Sequence, residues 1–255
     1  MKRTLSVLTL AMIGLALSLP EANADRRIFG YTYPYMTLPE GAFEIEHYLD
    51  MGLNGWDDPN TPKQEKEWTE VDWTHQVEFE YGITDNLDFG FYNVFRQKPY
   101  DDFVYEGLKL RTRYRFGERD RYGLDPAIYF EVGYFGDEVK LEEMLILSKV
   151  LGGWELSFNL KGEQEYKLND KEWEFEVLPL FGFGYHFNPH VALSLEYYGK
   201  LKIEGGEYEY FANYLGPALS VAGGPFYWTL AVQPQLGTRD GIAAVQIRSL
   251  FGIQI

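Results

Sequence analysis

Apolar and polar residues alternate in short segments along most of this chain. From residue 108 to residue 116, the odd-numbered positions carry basic side chains and most even-numbered positions carry apolar ones. A period of two residues is typical of a β-strand with one polar and one apolar face. Segments of this kind, separated by turn residues, predict twelve strands, at residues 41–52, 70–82, 87–98, 104–116, 126–136, 139–151, 154–166, 172–186, 191–203, 210–221, 226–236 and 242–255.

Two architectures fit such strands. A soluble sandwich buries its apolar faces, whereas a membrane barrel turns them towards lipid and keeps its charges in the lumen. Lipid tolerates only a sheet whose backbone polar groups are all paired, and this requires closure. An export signal, an apolar final strand and many aromatic residues favour the membrane. The predicted fold class is therefore all-β, a closed antiparallel transmembrane β-barrel of about 12 strands formed by residues 41–255.

The composition supports this interpretation and excludes several classes of function. Aromatic residues make up 17% of the chain, and a membrane barrel uses them in two girdles, one at each interface with water. There is no Cys, which excludes disulfides, thiol chemistry and Cys-liganded metals. The formal charge of −16 argues against a nucleic-acid partner, because phosphates require a basic surface.

The N-terminus has the parts of a secretory signal peptide. Two basic residues precede an apolar stretch from Leu5 to Leu19, and Ala22-Asn23-Ala24 forms a cleavage box. We therefore expect residues 1–24 to be cleaved. Residues 25–40, rich in Tyr, Gly and Pro, lead into the first strand as an additional strand, a small plug or an unstructured arm.

An exported barrel of this kind belongs in the bacterial outer membrane. Its expected partners are outer-membrane lipid and lipopolysaccharide, and the barrel-assembly machinery, which binds an apolar C-terminal strand. That strand places Ile247, Phe251, Ile253 and Ile255 in one phase, although such strands often end in Phe. We expect a monomer, and no cofactor is implied.

The inward-facing charges are the best candidates for function. They are Glu78, Glu80, Lys109, Arg111, Arg113, Arg115, Glu131, Glu163, Glu165, Glu174, Glu176, Glu196 and Lys200. Opposed charge ladders create a field that filters polar solutes crossing a lumen. Twelve strands, however, lie between small barrels filled by side chains and large ones that hold water. The sequence therefore leaves two hypotheses: a passive channel or transporter for small molecules, and a closed structural or interaction barrel with a salt-bridged interior.

Three prolines fall inside predicted strands, at Pro179, Pro217 and Pro234. Each one lacks the N–H that a ladder hydrogen bond needs, and so each predicts a bulge. A related hypothesis is that one of these strands borders a lateral opening, through which hydrophobic cargo reaches the bilayer.

An outer-membrane lipid-modifying enzyme is the less favoured hypothesis. Such an enzyme places a nucleophile beside a base, but the inward Ser157 and Ser194 have no His at a similar height in this register. The four histidines fall at lipid-facing positions or near a turn: His47, His75, His186 and His190. The acidic run at residues 57–60 lacks the spacing of a calcium-binding loop.

Three turn phrases carry a resemblance to a known group: Tyr33-Pro34-Tyr35-Met36-Thr37-Leu38-Pro39-Glu40-Gly41, Tyr81-Gly82-Ile83-Thr84-Asp85-Asn86-Leu87-Asp88 and Tyr185-His186-Phe187-Asn188-Pro189-His190-Val191-Ala192-Leu193. They resemble small outer-membrane transport barrels, including those grouped under a meta-pathway of phenol degradation. The resemblance covers the layout of most of the mature chain and rests on turn residues. It implies an outer-membrane location and transport of small, often aromatic or hydrophobic, compounds, and it assigns no functional residue.

Overall fold

The computed structural model describes residues 27–53, 71–99, 101–237 and 242–255. The predicted signal peptide and most of the predicted long loop at residues 53–69 lie outside these ranges. No helix in the described ranges is long and apolar enough to cross a membrane. The strands are β1 (Phe43–Leu53), β2 (Val71–Thr84), β3 (Leu87–Gln97), β4 (Val104–Arg115), β5 (Asp125–Tyr134), β6 (Glu138–Leu151), β7 (Trp154–Lys167), β8 (Glu172–Asn188), β9 (Val191–Glu204), β10 (Glu207–Gly223), β11 (Phe226–Pro234) and β12 (Val245–Gln254).

The twelve strands close into a barrel. Each pairs antiparallel with its neighbours in chain order, and β12 pairs with β1, from Glu44 opposite Gln254 to Leu53 opposite Val245. Closure removes the free sheet edges, which is the condition for exposing a sheet to lipid. The predicted closed antiparallel barrel of 12 strands is confirmed.

The alternation of residues decides which side of the wall each one faces. On β5, Tyr129 and Glu131 are buried in the lumen, whereas Ile128 and Phe130 are 45% and 47% exposed on the outer face. The same pleat places apolar side chains outside on the other strands. Exposed examples around the barrel are Phe79, Phe89, Leu110, Leu145, Phe158, Leu160, Phe175, Phe181, Phe183, Leu193, Leu195, Phe211 and Phe251.

The predicted strand ends lie within three residues of the observed ones, and β10 shows why they differ. A turn of Gly205 and Gly206, with φ of +58° and +85°, lets pairing resume at once, with Glu204 opposite Glu207. Two consecutive residues with positive φ match the twist of a tight hairpin. β10 therefore begins three residues before the predicted position 210, within a charged run that resembles a loop in the sequence.

The three prolines interrupt hydrogen bonding without shifting the register. The shifts lie elsewhere, between Gly82 and Thr84, Val94 and Phe95, His186 and Asn188, and Tyr208 and Tyr210. Each proline keeps a regular partner on one neighbouring strand: Pro179 faces Leu160, Pro217 faces Leu195 and Pro234 faces Val245. The correction to the bulge prediction has a simple reason. A missing N–H removes one hydrogen bond but does not insert a residue into the strand.

The seam between β10 and β11 shows the effect of two of these prolines. Regular pairing ends at Ala218 opposite Ala231 and returns as an isolated bridge between Tyr214 and Gln235. Pro217 and Pro234 lie within the interruption. The strands stay in close contact there, because a Cβ built on Gly216 would lie only 1.8 Å from the Val232 carbonyl oxygen. The described wall is therefore closed at the seam.

Candidate functional site

The two ends of the barrel differ. At one end, which we call the short-turn end, two-residue turns join the strands at residues 85–86, 152–153, 189–190 and 224–225. The opposite end is called the loop end and contains the connections at residues 98–103 and 168–171. Among the described residues, the lumen is filled at the short-turn end and open at the loop end.

Residues 27–40, here called the plug, stand as an arch inside the short-turn half of the lumen. One foot is buried: Ile28 and Phe29 are 1% and 0% exposed and pack with Ala192. The other foot returns to the short-turn end, where the Thr37 hydroxyl donates to the Asp85 carbonyl oxygen at 2.7 Å. Because both feet lie at the same end, residues 27–40 do not thread through the barrel.

Glu196 on β9 holds the crest of the arch. Its carboxylate accepts the backbone N–H groups of Gly30, Tyr31 and Thr32 at 2.7, 2.9 and 2.8 Å. The plug lacks a ladder of its own here, so a buried wall carboxylate satisfies its backbone donors. Burial, together with Asp50, raises the pKa of the Tyr31 phenol well above its usual value.

Polar side chains of the wall hold the rest of the plug. Asn159 on β7 accepts the Tyr33 N–H at 2.6 Å and donates to its carbonyl oxygen at 2.9 Å. Asp88 on β3 accepts the Leu38 N–H at 3.0 Å. These bonds join backbone groups of the plug to wall side chains, which fixes the position of the plug without adding a strand to the sheet.

An acidic cluster surrounds the plug on β1, β2 and β3, and consists of Glu44, Glu46, Glu78, Glu80 and Asp88. Glu44 lies directly opposite Glu80, and Glu46 directly opposite Glu78, across the β1–β2 ladder. Carboxylate oxygens of Glu46, Glu78 and Glu80 lie within 4.8 Å of one another. Like charges that face each other destabilise a strand pair unless a cation lies between them.

Two arginines of β4 supply most of that positive charge. Arg111 contacts Glu78 at 2.7 Å and also pairs with Glu80 and Asp88. Arg113 contacts Glu80 at 3.0 Å and Asp88 at 2.8 Å. The planar guanidinium fork suits this bridging of several carboxylates. Arginine therefore already occupies the place where three clustered carboxylates could bind a metal.

The loop-end half of the lumen is an open vestibule of about 660 Å³. Tyr31 and Tyr33, at the crest of the plug, form part of its lining. The ring of Tyr31 lies between two neighbours: it stacks on Tyr198, with centroids 5.9 Å apart, and the Arg248 guanidinium lies 4.5 Å from its centroid. The plug thus separates the vestibule from the short-turn end.

A belt of charge surrounds the vestibule. Four carboxylates face one another in sequence across β5 to β8, and four lysines from β4, β6, β7 and β9 pair with them. The pairs are Lys109–Glu131 at 2.8 Å, Lys140–Glu163 at 2.5 Å, Lys161–Glu142 at 3.3 Å and Lys200–Glu176 at 2.7 Å. The wall therefore neutralises its own acids in this half.

The structure divides the thirteen predicted lumen charges between these regions. Glu78, Glu80, Arg111 and Arg113 lie in or against the acidic cluster, Glu196 holds the plug, and Lys109, Glu131, Glu163, Glu176 and Lys200 belong to the belt. The other three lie near the ends. Arg115 donates to the Asp85 carbonyl oxygen at 2.7 Å, Glu165 faces Glu174 near the loop end, and Glu174 contacts Lys202 at 3.2 Å.

Several site residues were missed at the sequence level. Glu44, Glu46 and Tyr48 alternate with apolar residues on β1, so the period of two gave a usable signal. For Arg27, in contrast, the sequence gives no sign that the side chain faces the lumen, because the plug shows neither the period of a strand nor that of a helix. Its guanidinium donates to the Tyr48 hydroxyl at 2.6 Å and lies 3.8 Å from Glu46.

The serines and histidines have structural contacts. The hydroxyls of Ser157 and Ser194 donate to plug carbonyl oxygens, those of Tyr33 at 2.6 Å and Ile28 at 3.0 Å. The His47 and His75 rings lie 3.1 Å apart, nitrogen to nitrogen, and His186 contacts Glu155 at 2.8 Å. The serine contacts join the wall to the plug, and the histidine contacts lie within the wall. None of these contacts pairs a serine with a histidine.

Comparison with known proteins supports the fold. No protein-family profile and no curated protein matches the sequence. Among solved structures, an outer-membrane channel from Pseudomonas putida F1 is 11% identical, with 87% of this chain and 98% of that chain covered and a TM-score of 0.60. A KdgM porin (11% identical, 83% and 97% covered) and LpxR from Salmonella typhimurium (6% identical, 82% and 99% covered) have TM-scores of 0.49 and 0.47. The chain therefore has the fold of a small bacterial outer-membrane β-barrel.

Proposed function

We propose that this barrel is a gated passive channel for small polar molecules, monomeric and closed at rest by the plug. The observation that carries the proposal is the division of the lumen, with an open vestibule on one side of the plug and the short-turn end on the other. The plug occupies the width of an extended peptide. Its withdrawal would join the two sides by a path of that width.

The way in which the plug is held supports a reversible gate. A few wall side chains bind it through hydrogen bonds to its backbone, and it belongs to no ladder of the sheet. Both feet lie at the short-turn end, and the plug can leave on that side without passing through the vestibule. Strands, in contrast, would have to break a continuous series of backbone bonds.

The chemistry of the lumen favours polar cargo. Charged residues and tyrosine hydroxyls line the vestibule, and apolar side chains lie mainly on the outer face. The resemblance to phenol-degradation barrels implies small aromatic compounds as cargo. In such a vestibule these compounds would contact the lining through their polar groups. The closed seam between β10 and β11 gives no support to a lateral route for hydrophobic cargo.

A planar-bilayer experiment tests the gate. The purified full chain is expected to show rare openings, and a variant lacking residues 27–38 is expected to show steady conductance steps. Folding of both is checked by the heat-dependent shift in gel mobility. A deletion variant that folds and remains silent would overturn the proposal.

A reversible lock provides the matched control. The chain has no native Cys, and a Cβ built on Gly30 would lie 2.5 Å from the Ala231 Cβ. A disulfide needs about 3.8 Å between these atoms, so a small shift of the plug accommodates the pair Gly30→Cys and Ala231→Cys. The oxidised protein should stay closed, and reduction should restore the openings.

The second candidate is a closed structural barrel. The observation in its favour is the ionic cluster of Arg111 and Arg113, which fills much of the lumen beside the plug. On this hypothesis the deletion variant stays silent, and the bilayer recording therefore separates the two functions.

A further inference from the structure

The plug contributes charge to the lumen as well as bulk. Arg27 is the cationic side chain of residues 27–40, and it is buried, with its side chain 6% exposed. It lies beside Glu46, which faces Glu78 across the ladder. The positive charge next to Glu46 is therefore supplied by the plug, which leaves the lumen in the proposed open state.

Arg27 is held loosely for a buried guanidinium. Its Nη1 donates to the Tyr48 hydroxyl, whereas Nε and Nη2 have no hydrogen-bond partner. Its distance of 3.8 Å from Glu46 is long for a charge-assisted bond. Two rings supply cation–π contacts: the Arg27 Cζ lies 4.0 Å from the centroid of Tyr33, which belongs to the plug, and 5.6 Å from the centroid of Tyr48 on the wall. Buried, unsatisfied donors are costly, and this lowers the barrier to replacing Arg27 by another cation.

The vestibule provides the contrast. There, lysines of the wall itself pair with the carboxylates, and those pairs stay in place when the plug moves. Around the plug, the wall supplies Arg111 and Arg113 against the five carboxylates of the acidic cluster and Glu196. Arg248, which also contacts the crest, is paired with Asp50. Withdrawal of the plug removes Arg27 and the three N–H donors that Glu196 accepts, and an acidic constriction remains.

We propose that Arg27 occupies the site of a transported cation. Resting on the function proposed above, this inference assigns the site to Glu46 and Tyr48, with Glu196 as a second carboxylate that withdrawal of the plug leaves unpaired. Its ligands are guanidinium- or ammonium-bearing solutes and inorganic cations. The carboxylates attract the cation and the Tyr48 ring covers an organic one. Anions meet a repulsive constriction, and the open pore selects against them.

Reversal potentials test the inference in the variant lacking residues 27–38. Under a tenfold KCl gradient the potential should have the sign of cation selectivity. The double change Glu46→Gln and Glu196→Gln should move it by about half towards zero, because four carboxylates would remain against the two arginines. Glu143→Gln is the matched control, because this carboxylate lies on the outer face of β6. A pore that conducts without cation selectivity overturns this inference alone, whereas a folded variant that does not conduct overturns the proposed channel.

Chemical rescue provides a second test that keeps the plug. In the full chain, Arg27→Ala removes the cation and should increase the frequency of openings. Guanidinium chloride at low millimolar concentration should restore closure, and urea, a neutral molecule of similar shape, should not. Equal effects of the two compounds would show that the site does not recognise charge and would overturn the inference.

Discussion

The carboxylate of Glu196 and the backbone N–H of Gly30 form a 2.7 Å hydrogen bond that joins the wall to the crest of the plug. Two further N–H groups bond to the same carboxylate. We expect Glu196→Ala to leave three buried donors unpaired, and each hydrogen bond to a charged group contributes about 1.5–3 kcal/mol. The open probability in bilayer recordings should rise at least tenfold, since about 1.4 kcal/mol corresponds to a factor of ten. An unchanged open probability would show that this carboxylate does not hold the gate.

A larger residue at position 30 should displace the plug by steric overlap and not by the loss of hydrogen bonds. A Cβ at this position would overlap Ala231, which is 0% exposed on β11. We expect Gly30→Val to push the crest out of its seat without disturbing the sheet, because the plug makes no ladder bonds. Limited proteolysis from the short-turn side should cut the plug of the variant faster than that of the wild type. Equal cleavage rates, with folding intact, would contradict the seating described here.

The ionic cluster predicts a loss of stability when its arginine is removed. Arg111→Leu leaves Glu78 without its arginine and leaves Glu80 and Asp88 with Arg113 alone. Breaking a buried ion pair from one side costs about 3–5 kcal/mol. The midpoint of the heat-dependent gel shift should fall by several degrees. Arg119→Leu, at an exposed position, is the control and should leave the midpoint unchanged. If both variants behave alike, the cluster does not stabilise the barrel.

We expect position 216, at the seam between β10 and β11, to require glycine. Gly216→Ala places a methyl group against the Val232 carbonyl, and overpacking of this kind costs about 1–3 kcal/mol. The control is Gly123→Ala, because a Cβ there meets nothing within 4 Å. Thermal unfolding should separate the two variants clearly. A tolerated methyl group at residue 216 would mean that the seam opens, which would revive the lateral route.

The strands could be predicted from the sequence because lipid and lumen impose one simple rule. On β4, four consecutive inward positions are basic, and the apolar positions between them leave no alternative phase. The rule is local and depends only on which solvent each face meets. Strand ends are less certain, as β10 shows, because a tight turn allows charged residues to pair from the first position after it.

The site was less predictable because its contacts join residues far apart in the sequence. The sequence indicated that Arg111 and Glu78 face the lumen, but not that they touch, since the register between β2, β3 and β4 decides this. The plug was harder still. Its backbone bonds go to Glu196, Asn159 and Asp88, so it has no period of its own, and the sequence left a strand, a plug and an arm as alternatives.

The contacts of the plug span nearly the whole chain. Arg27 provides the carbonyl that the Thr229 hydroxyl bonds at 2.5 Å, while Leu38 bonds to Asp88 on β3. Residues that emerge first during synthesis thus find their last partners only after β9 and β11 are in place. A partly assembled sheet offers no seat for the plug, so the seal can form only on a finished barrel. A sealed lumen therefore indicates that the barrel is completely assembled, in addition to blocking the passage of solutes.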